Sequence, residues 1–329
     1  MNILVTGAAG YIGKQLVTHL ANDSMHHIIA SDIRDESPFS AYTNVTYAKV
    51  DIRSKDVLEM MKQQQIDVVV HLASIVTPGK KSNREFEYSV DVLGTKNILE
   101  ACIETNVKRI IISSSGAAYG YHPENEDWLV ETSLIRGNEQ FAYSYHKRLV
   151  EEMLSEYREK YPQLEQTIFR IGTILGASVQ NQITNLFDQP NLYGIRGSKS
   201  PFVFIWDQDV VRCFAQAVTA QQTGIYNLAG DGALSVDEIG DILNKRVIKL
   251  PSWVAVAGLF VLKRLGVSQY GEEQVRFLRY RPVLLNTKLK QEFGYIPQKT
   301  SKEVFEYYLD NKKSNTTSSQ NVKKIQQNV

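Results

Sequence analysis

Three groups of residues carry the chemistry legible in this 329-residue chain. The first is Thr6-Gly7-Ala8-Ala9-Gly10-Tyr11-Ile12-Gly13. Glycines so spaced permit a tight turn, let backbone approach a diphosphate and let the following helix pack closely on the preceding strand. The N-terminus of that helix adds unpaired N–H groups and partial positive charge. Asp32 stands nineteen residues beyond Gly13, close to the spacing of about 20 at which a carboxylate meets an adenosine ribose. It can accept from a 2′-hydroxyl and would repel a 2′-phosphate, so NAD is the expected cofactor. Arg34 keeps NADP as the alternative, because a guanidinium pairs with phosphate.

The second group is Tyr143 and Lys147, four residues apart and so on one face of a helix. An ammonium one turn from a phenol favours the phenolate, a usable proton acceptor, and could also hold a nicotinamide ribose. The third is Ser113-Ser114-Ser115-Gly116-Ala117-Ala118-Tyr119-Gly120. A hydroxyl there can steady a substrate oxygen as its charge changes. Taken singly, a Tyr-x-x-x-Lys pair and a serine-rich turn are ordinary; their combination with the glycine turn is not.

These groups need a scaffold, and short apolar runs alternating with amphipathic stretches supply one. The pattern predicts strands at Asn2–Thr6, His27–Ser31, Val45–Lys49, Asp67–His71, Arg109–Ser113 and Gln166–Ile171. Between them it predicts helices at Ile12–Ala21, Lys55–Gln64, Arg84–Glu104 and Glu139–Lys160. Continuous apolar strands alternating with helices indicate an α/β fold with a Rossmann-type doubly wound parallel sheet. A helix at Val210–Ala220 and a strand at Gly224–Leu228 follow a looser stretch. The expected division is a dinucleotide-binding domain over 1–172 plus about 203–230. A smaller, mostly helical C-terminal substrate lobe takes about 173–202 plus 231–312. The tail 313–329 is polar, low in complexity and expected to be disordered.

Lys+Arg total 37 against 36 Asp+Glu, which argues against a nucleic-acid partner held by bulk charge. With 43% hydrophobic and 22% charged residues the chain reads as a soluble globular protein. Cys102 and Cys213 are too few for a disulfide scaffold or a thiolate zinc site, and His26-His27 has no companions at metal spacing, so no metal is expected. The N-terminal apolar run is too short for a signal peptide, and a cytoplasmic location is expected. The most lipid-like stretch, Trp253–Leu262, is about half the roughly 20 residues needed to span a bilayer and is expected to be a buried or interface helix, with a groove for a greasy substrate or a membrane surface as the alternatives. His71 and His146 read as packing or surface residues, and Arg276–Arg281 as a solvated or salt-bridged helix face, with contact to an anionic substrate as the alternative.

Together the glycine turn, Asp32, Asp51-Ile52, His71–Ser74, the serine segment and the Tyr143/Lys147 pair resemble the extended short-chain dehydrogenase/reductase superfamily, in its NAD-dependent epimerase/dehydratase branch, over roughly residues 1–300. The resemblance implies cofactor contacts from Gly7, Ala9, Gly10, Tyr11, Ile12, Gly13, Asp32, Arg34, Tyr143 and Lys147. It also implies that Asp51 and Ile52 flank adenine and that Leu72, Ala73 and Ser74 line the cofactor near nicotinamide. Ser115, Tyr143 and Lys147 become the catalytic set. The chain departs from the family at Gly116-Ala117, where dehydratases and decarboxylases carry acids. It departs also at Asp91 and Thr173, where asparagine is usual, and at Pro201-Phe202, where an arginine is usual.

The reading that follows is an NAD(P)-dependent epimerase or oxidoreductase working on a secondary alcohol or ketone of a small molecule, resembling sugar-nucleotide epimerases. A 3β-hydroxysteroid-dehydrogenase-like enzyme or a hydroxyketone reductase is the alternative within the class. A non-catalytic NAD(P)-binding sensor is the alternative outside it. A homodimer paired through Arg84–Glu104 and Glu139–Lys160 is expected by the same resemblance.

Overall fold

The computed structural model of the chain describes residues 1–76, 83–199, 201–265 and 273–312. Its first part alternates β1 (Asn2–Thr6), α1 (Tyr11–Ala21), β2 (His27–Asp32), β3 (Val45–Lys49), α2 (Asp56–Gln64), β4 (Val68–His71), α3 (Arg84–Tyr88), α4 (Thr95–Glu104), β5 (Arg109–Ser115), α5 (Ala142–Lys160) and β6 (Glu165–Ile171). Then come β7 (Thr173–Leu175), α6 (Gln182–Asp188), β8 (Leu192–Ile195), β9 (Phe204–Trp206), α7 (Asp207–Thr219) and β10 (Gly224–Leu228). The chain continues through α8 (Val236–Leu243), β11 (Val247–Leu250), α9 (Ser252–Arg264) and α10 (Glu273–Arg279), with a helix over 301–312.

Seven parallel strands form the central sheet in the order β3-β2-β1-β4-β5-β6-β10. This is the Rossmann order with one added strand, and the strand order reverses between β1 and β4, where such sheets open a ligand crevice. Both faces are covered, which is why the strands are apolar throughout rather than alternating. Ile3 and Val5 of β1 face the core under α1 and α7, whereas Leu4 faces the core under α2, α4 and α5. The mostly helical C-terminal lobe has its own aromatic core of Phe187, Phe202, Phe204 and Phe305, joined by the two-stranded pairs β7–β9 and β8–β11.

Three expectations change, and a fourth lies outside what the structure describes. The helix expected over Arg84–Glu104 is interrupted by a π-helical segment, Ser89–Gly94, where Thr95 Oγ1 donates to the Asp91 carbonyl at 2.6 Å. A Cβ at Gly94 would lie 2.6 Å from Ile52 Cδ1, so any larger residue there would have to displace the Ile52 side chain. The helix expected from Glu139 begins at Ala142, because Phe141 is extended and serves as its N-cap. The apolar stretch at 253–262 is helical within α9, yet no described side chain of that helix is buried. The 313–329 tail lies outside the described residues.

Helix α5 is fixed to the sheet by a buried polar cluster. Glu151 accepts from Arg170 Nε at 2.9 Å and from Nη2 at 2.5 Å, and each side chain is 4% exposed. Ser114 Oγ donates to the same carboxylate at 2.5 Å, and Arg170 Nη1 donates to Tyr119 Oη at 2.9 Å. Tyr119 in turn donates to Asn227 on β10 at 2.8 Å. Glu151→Ala strands a buried guanidinium without a counter-charge. It is expected to cost about 3–5 kcal/mol, read as a lowered urea midpoint, while Ser114→Ala costs about 1 kcal/mol.

Candidate active site

The glycine turn joins the end of β1 to α1 at the switch point of the sheet. Gly7 has φ +67°, and a Cβ there would meet Ala73 N at 2.8 Å, so the turn is seated against the segment leaving β4. A Cβ on Gly13 would lie 2.2 Å from the Gly7 carbonyl oxygen, which fixes glycine where α1 crosses the turn. Gly10 caps α1 without a side-chain hydrogen bond, and the first turn holds no acid. Those N–H groups and the helix dipole therefore suit a dinucleotide diphosphate. Asp32, at the end of β2, accepts from Ala9 N at 2.9 Å, which aims its carboxylate across the turn. Arg34 Nη1 donates to the Ala9 carbonyl at 2.8 Å and clasps the same residue from the other side.

Other residues implied as cofactor contacts divide by what they touch. Tyr11 turns its hydroxyl to Asp207 at 2.6 Å, and burial together with that carboxylate pushes its phenol well up. A Cβ on Gly176 would collide with both groups, so their approach depends on that glycine. Ala9, Ile12 and Gly10 remain in the turn itself. Asp51 is held below the ordinary carboxylate range by its hydrogen-bonded pair with Arg53, and Ile52 packs in the core beside Gly94. Leu72 N donates to the Thr6 carbonyl at 3.2 Å, and Ser74 Oγ donates to Asp91 Oδ1 at 2.9 Å.

The three serines at the end of β5 have different partners. Ser113 Oγ donates to the His71 carbonyl, and Ser114 is spent on Glu151. Ser115 Oγ accepts from Ala117 N at 3.1 Å, and its own proton has no acceptor among the described residues. Helix α5 is tied over this strand end at two points: Ser144 Oγ donates to the Ala117 carbonyl at 2.6 Å, and Lys147 Nζ donates to the Ser113 carbonyl at 3.0 Å. These ties bracket Ser115 and bring the Tyr143–Lys147 face to it. The Lys147 ammonium lies 5.6 Å from the centre of the Tyr143 ring.

Sequence reasoning missed several residues around this pair. His71 sits opposite Thr6 in the sheet register. Thr95 spends its only proton on the Asp91 carbonyl, so His71 Nε2 must donate to Thr95 Oγ1 (3.0 Å) and Nδ1 must accept from Thr6 Oγ1 (2.8 Å). Burial and then Lys147 push the imidazole down to about 3, and it stays neutral. His146 is also buried, with Nδ1 3.5 Å from Asp91 Oδ2. Burial pushes the Asp91 carboxyl up, but His146, Lys147 and the Ile75 N–H outweigh it and hold it below its ordinary range.

The Arg276–Arg281 stretch is corrected too. Arg276 is exposed, and Arg279 donates to Ser252 Oγ at 3.2 Å. Arg281, beyond the helix, has its guanidinium buried between Phe202 (3.4 Å to the ring centre) and Phe277 (4.5 Å). Among the described residues none of its three side-chain nitrogens has a hydrogen-bond partner, and burial pushes its pKa down to about 9. It lines a small, mostly apolar cavity with Leu186, Phe187, Leu192, Leu278 and Gln189. Nearby, Phe141 and Phe277 stack at 5.9 Å and Tyr121 meets both edge-on, while Leu284 covers Gly116. Spacing carried a signal for some of these: Glu151 continues the Tyr143–Lys147 series by four residues, and Phe277 precedes Arg281 by four.

The model of the NAD dependent epimerase/dehydratase family matches residues 3–229. A putative UDP-glucose 4-epimerase of Methanocaldococcus jannaschii is 26% identical over 261 residues, covering 74% of this chain and 82% of its own. An uncharacterized protein of Mycobacterium tuberculosis is 23% identical over 315 residues, covering 93% and 83%. Among solved structures, the UDP-glucose 4-epimerase of Thermotoga maritima with UDP-glucose superposes with a TM-score of 0.72 at 19% identity, over 96% of this chain and 100% of that one. The Thermus thermophilus UDP-glucose 4-epimerase complex with NAD gives 0.70 at 22% identity, over 94% and 98%.

The neutral His71 sets an acid limb on stability. Its folded pKa lies below the ordinary 6.5, so stability is complete above about pH 6.5 and falls as the unfolded chain takes up the proton. Unfolding free energy is expected to drop by about 2 kcal/mol between pH 7.5 and 5, before the carboxylates titrate. Denaturant titrations at the two pH values check this, and His71→Gln should flatten the slope.

Proposed function

We propose, from the premise that this chain belongs to the NAD dependent epimerase/dehydratase family, whose cofactor is NAD, that it oxidises and re-reduces a secondary alcohol of a small molecule through Tyr143, Lys147 and Ser115. The observation that supports the reading is the double tie of α5 to the end of β5, which sets the helix that carries Tyr143 and Lys147 beside the strand end with Ser115, the one serine of the triplet whose proton has no acceptor among the described residues.

Gly7, Gly10 and Gly13 with the start of α1 would hold the diphosphate, Asp32 the adenosine ribose, and Leu72–Ser74 the nicotinamide end. When bound, NAD supplies a reversible hydride acceptor. Tyr143 takes the hydroxyl proton as the carbinol hydrogen departs as hydride, and returns it on reduction. Lys147, steadied by the Ser113 carbonyl, stabilises the negative charge that Tyr143 carries and reaches the nicotinamide ribose. Ser115 donates to the substrate oxygen. A ketone that turns over before it regains hydride leaves as the epimer, as in the sugar-nucleotide epimerases among the relatives; a ketone that leaves makes the reaction a net oxidation. Elimination has no acid to drive it beside Ser115, since Gly116 faces Leu284.

One observation favours a second substrate class. The aromatic cluster of Tyr121, Phe141 and Phe277 suits an alcohol or ketone on a hydrophobic molecule, of the hydroxysteroid or hydroxyketone kind. Arg281, with no hydrogen-bond partner among the described residues, suits an anionic group on either class. Two copies would pair through α4 and α5.

Tyr143→Phe is expected to lower kcat by about 10²–10⁴ while leaving NAD affinity, measured by calorimetry, within about twofold. Turnover near the parent level would overturn the assignment. Assaying UDP-sugars beside hydroxysteroids and hydroxyketones decides the substrate class.

A further inference from the structure

Asp91 stands where asparagine is usual, and the exchange leaves a charge in the interior that has to be balanced. The residue belongs to the π-helical segment Ser89–Gly94 and is 3% exposed. Its Oδ1 accepts from Ser74 Oγ at 2.9 Å and from Ile75 N at 2.8 Å, which clamps the segment leaving β4. Its Oδ2 faces Nδ1 of His146 at 3.5 Å. The His146 ring is 1% exposed and lies T-shaped against Tyr88 at 5.8 Å.

An asparagine would serve the clamp equally, because its amide oxygen accepts the same two bonds. What the carboxylate adds is a second acceptor, turned to the imidazole, and a full negative charge. A buried carboxylate needs a compensating cation. Lys147, next to His146 on α5, supplies it: the ammonium helps to hold the Asp91 carboxyl below its ordinary range. Both charges also act on His71, Lys147 pushing the imidazole down and Asp91 pushing it up, so all three groups share one neighbourhood. The groups packed around them leave this balance in place. His71, from β4, stays neutral, and Tyr88 and Tyr145 meet the His146 ring. Tyr143, under the Lys147 ammonium, acts on Tyr121, and Tyr121 on Arg281.

We propose that Asp91 is a positioning residue for the Tyr143–Lys147 pair: it is the counter-charge of Lys147, and by offsetting the ammonium it sets the pH at which Tyr143 becomes a phenolate. The proposal rests on the reading of Tyr143 as the acid–base group. Fields add, so a carboxylate near the ammonium disfavours the phenolate that the ammonium favours. This chain therefore needs a higher pH to form its base than it would with the usual asparagine. Because the same side chain clamps Ser74 and Ile75, the strength of the base and the seat of the nicotinamide end depend on one residue.

The test is carbon-13 NMR of the full chain with NAD bound and tyrosine rings labelled, the Tyr143 signal being the one lost in Tyr143→Phe. Asp91→Asn is expected to move the Tyr143 titration to lower pH by about 0.5–1 unit, with melting temperature and NAD binding showing that the variant folds. A titration that stays in place, or moves to higher pH, overturns the proposal. A second measurement needs no variant. The side-chain carboxyl carbon of Asp91 in the parent should report the ionised form at every pH above about 4, and an Asp91 found protonated at neutral pH refutes the counter-charge. Neither readout uses turnover, whereas the catalytic assignment of Tyr143 is judged by turnover of Tyr143→Phe, so the two ideas fail separately.

Discussion

Glu151 and Arg170 face each other in the interior, one on α5 and one on β6, and the site is built around their contact. Neither charge could stay there alone: withdrawing an ion from water costs several kcal/mol, offset here by their mutual attraction and by bonds from Ser114, Tyr119 and the Glu131 carbonyl. Because the pair is specific in direction, it sets the rotation of α5 about its own axis. Lys147 and Tyr143 lie one and two turns before Glu151, so that rotation turns them toward the end of β5. The ties of Lys147 to Ser113 and of Ser144 to Ala117 complete the placement.

A second constraint operates across the sheet, where three chain segments meet at less than ordinary side-chain distance. Gly7 sits against Ala73 and Gly13 against Gly7, so the turn, the start of α1 and the end of β4 leave no room for a Cβ. His71 binds this corner from within. Its two nitrogens join Thr6, at the entrance to the glycine turn, to Thr95, at the head of α4 and next to the π segment that carries Asp91. The cofactor cradle and the Lys147 neighbourhood therefore share one neutral imidazole. Their geometry is coupled through hydrogen bonds whose direction depends on its protonation.

The substrate side is organised differently. Where dehydratases carry acids the chain presents Gly116 against Leu284, and at the position of a usual arginine Phe202 instead supports Arg281 by its ring face. A cation is thus present in that lobe, but it arrives from beyond α10 rather than from the strand. It is flanked by aromatics and lacks a hydrogen-bond partner among the described residues. An arginine held in this way is costly unless an anion visits it.

The sequence by itself determined the parallel sheet and the glycine turn with Asp32, and it set Tyr143 and Lys147 on one face of a helix, while only the family resemblance singled out Ser115. These are local matters: strand and helix periods, the spacing of glycines, and a four-residue step along one helix are visible without any long-range contact. It also named α9 as a helix, since apolar composition is local, but not whether anything in the chain would cover it. The tertiary structure alone decided that Ser113 and Ser114 are committed elsewhere, that His71 is a buried bridge, and that Glu151 meets Arg170. It likewise decided that Arg281 lies between two rings and that α9 stays exposed. Each of these depends on residues tens to more than a hundred positions apart sharing one place, and on burial changing what a charge costs there; neither is encoded in any short stretch of chain.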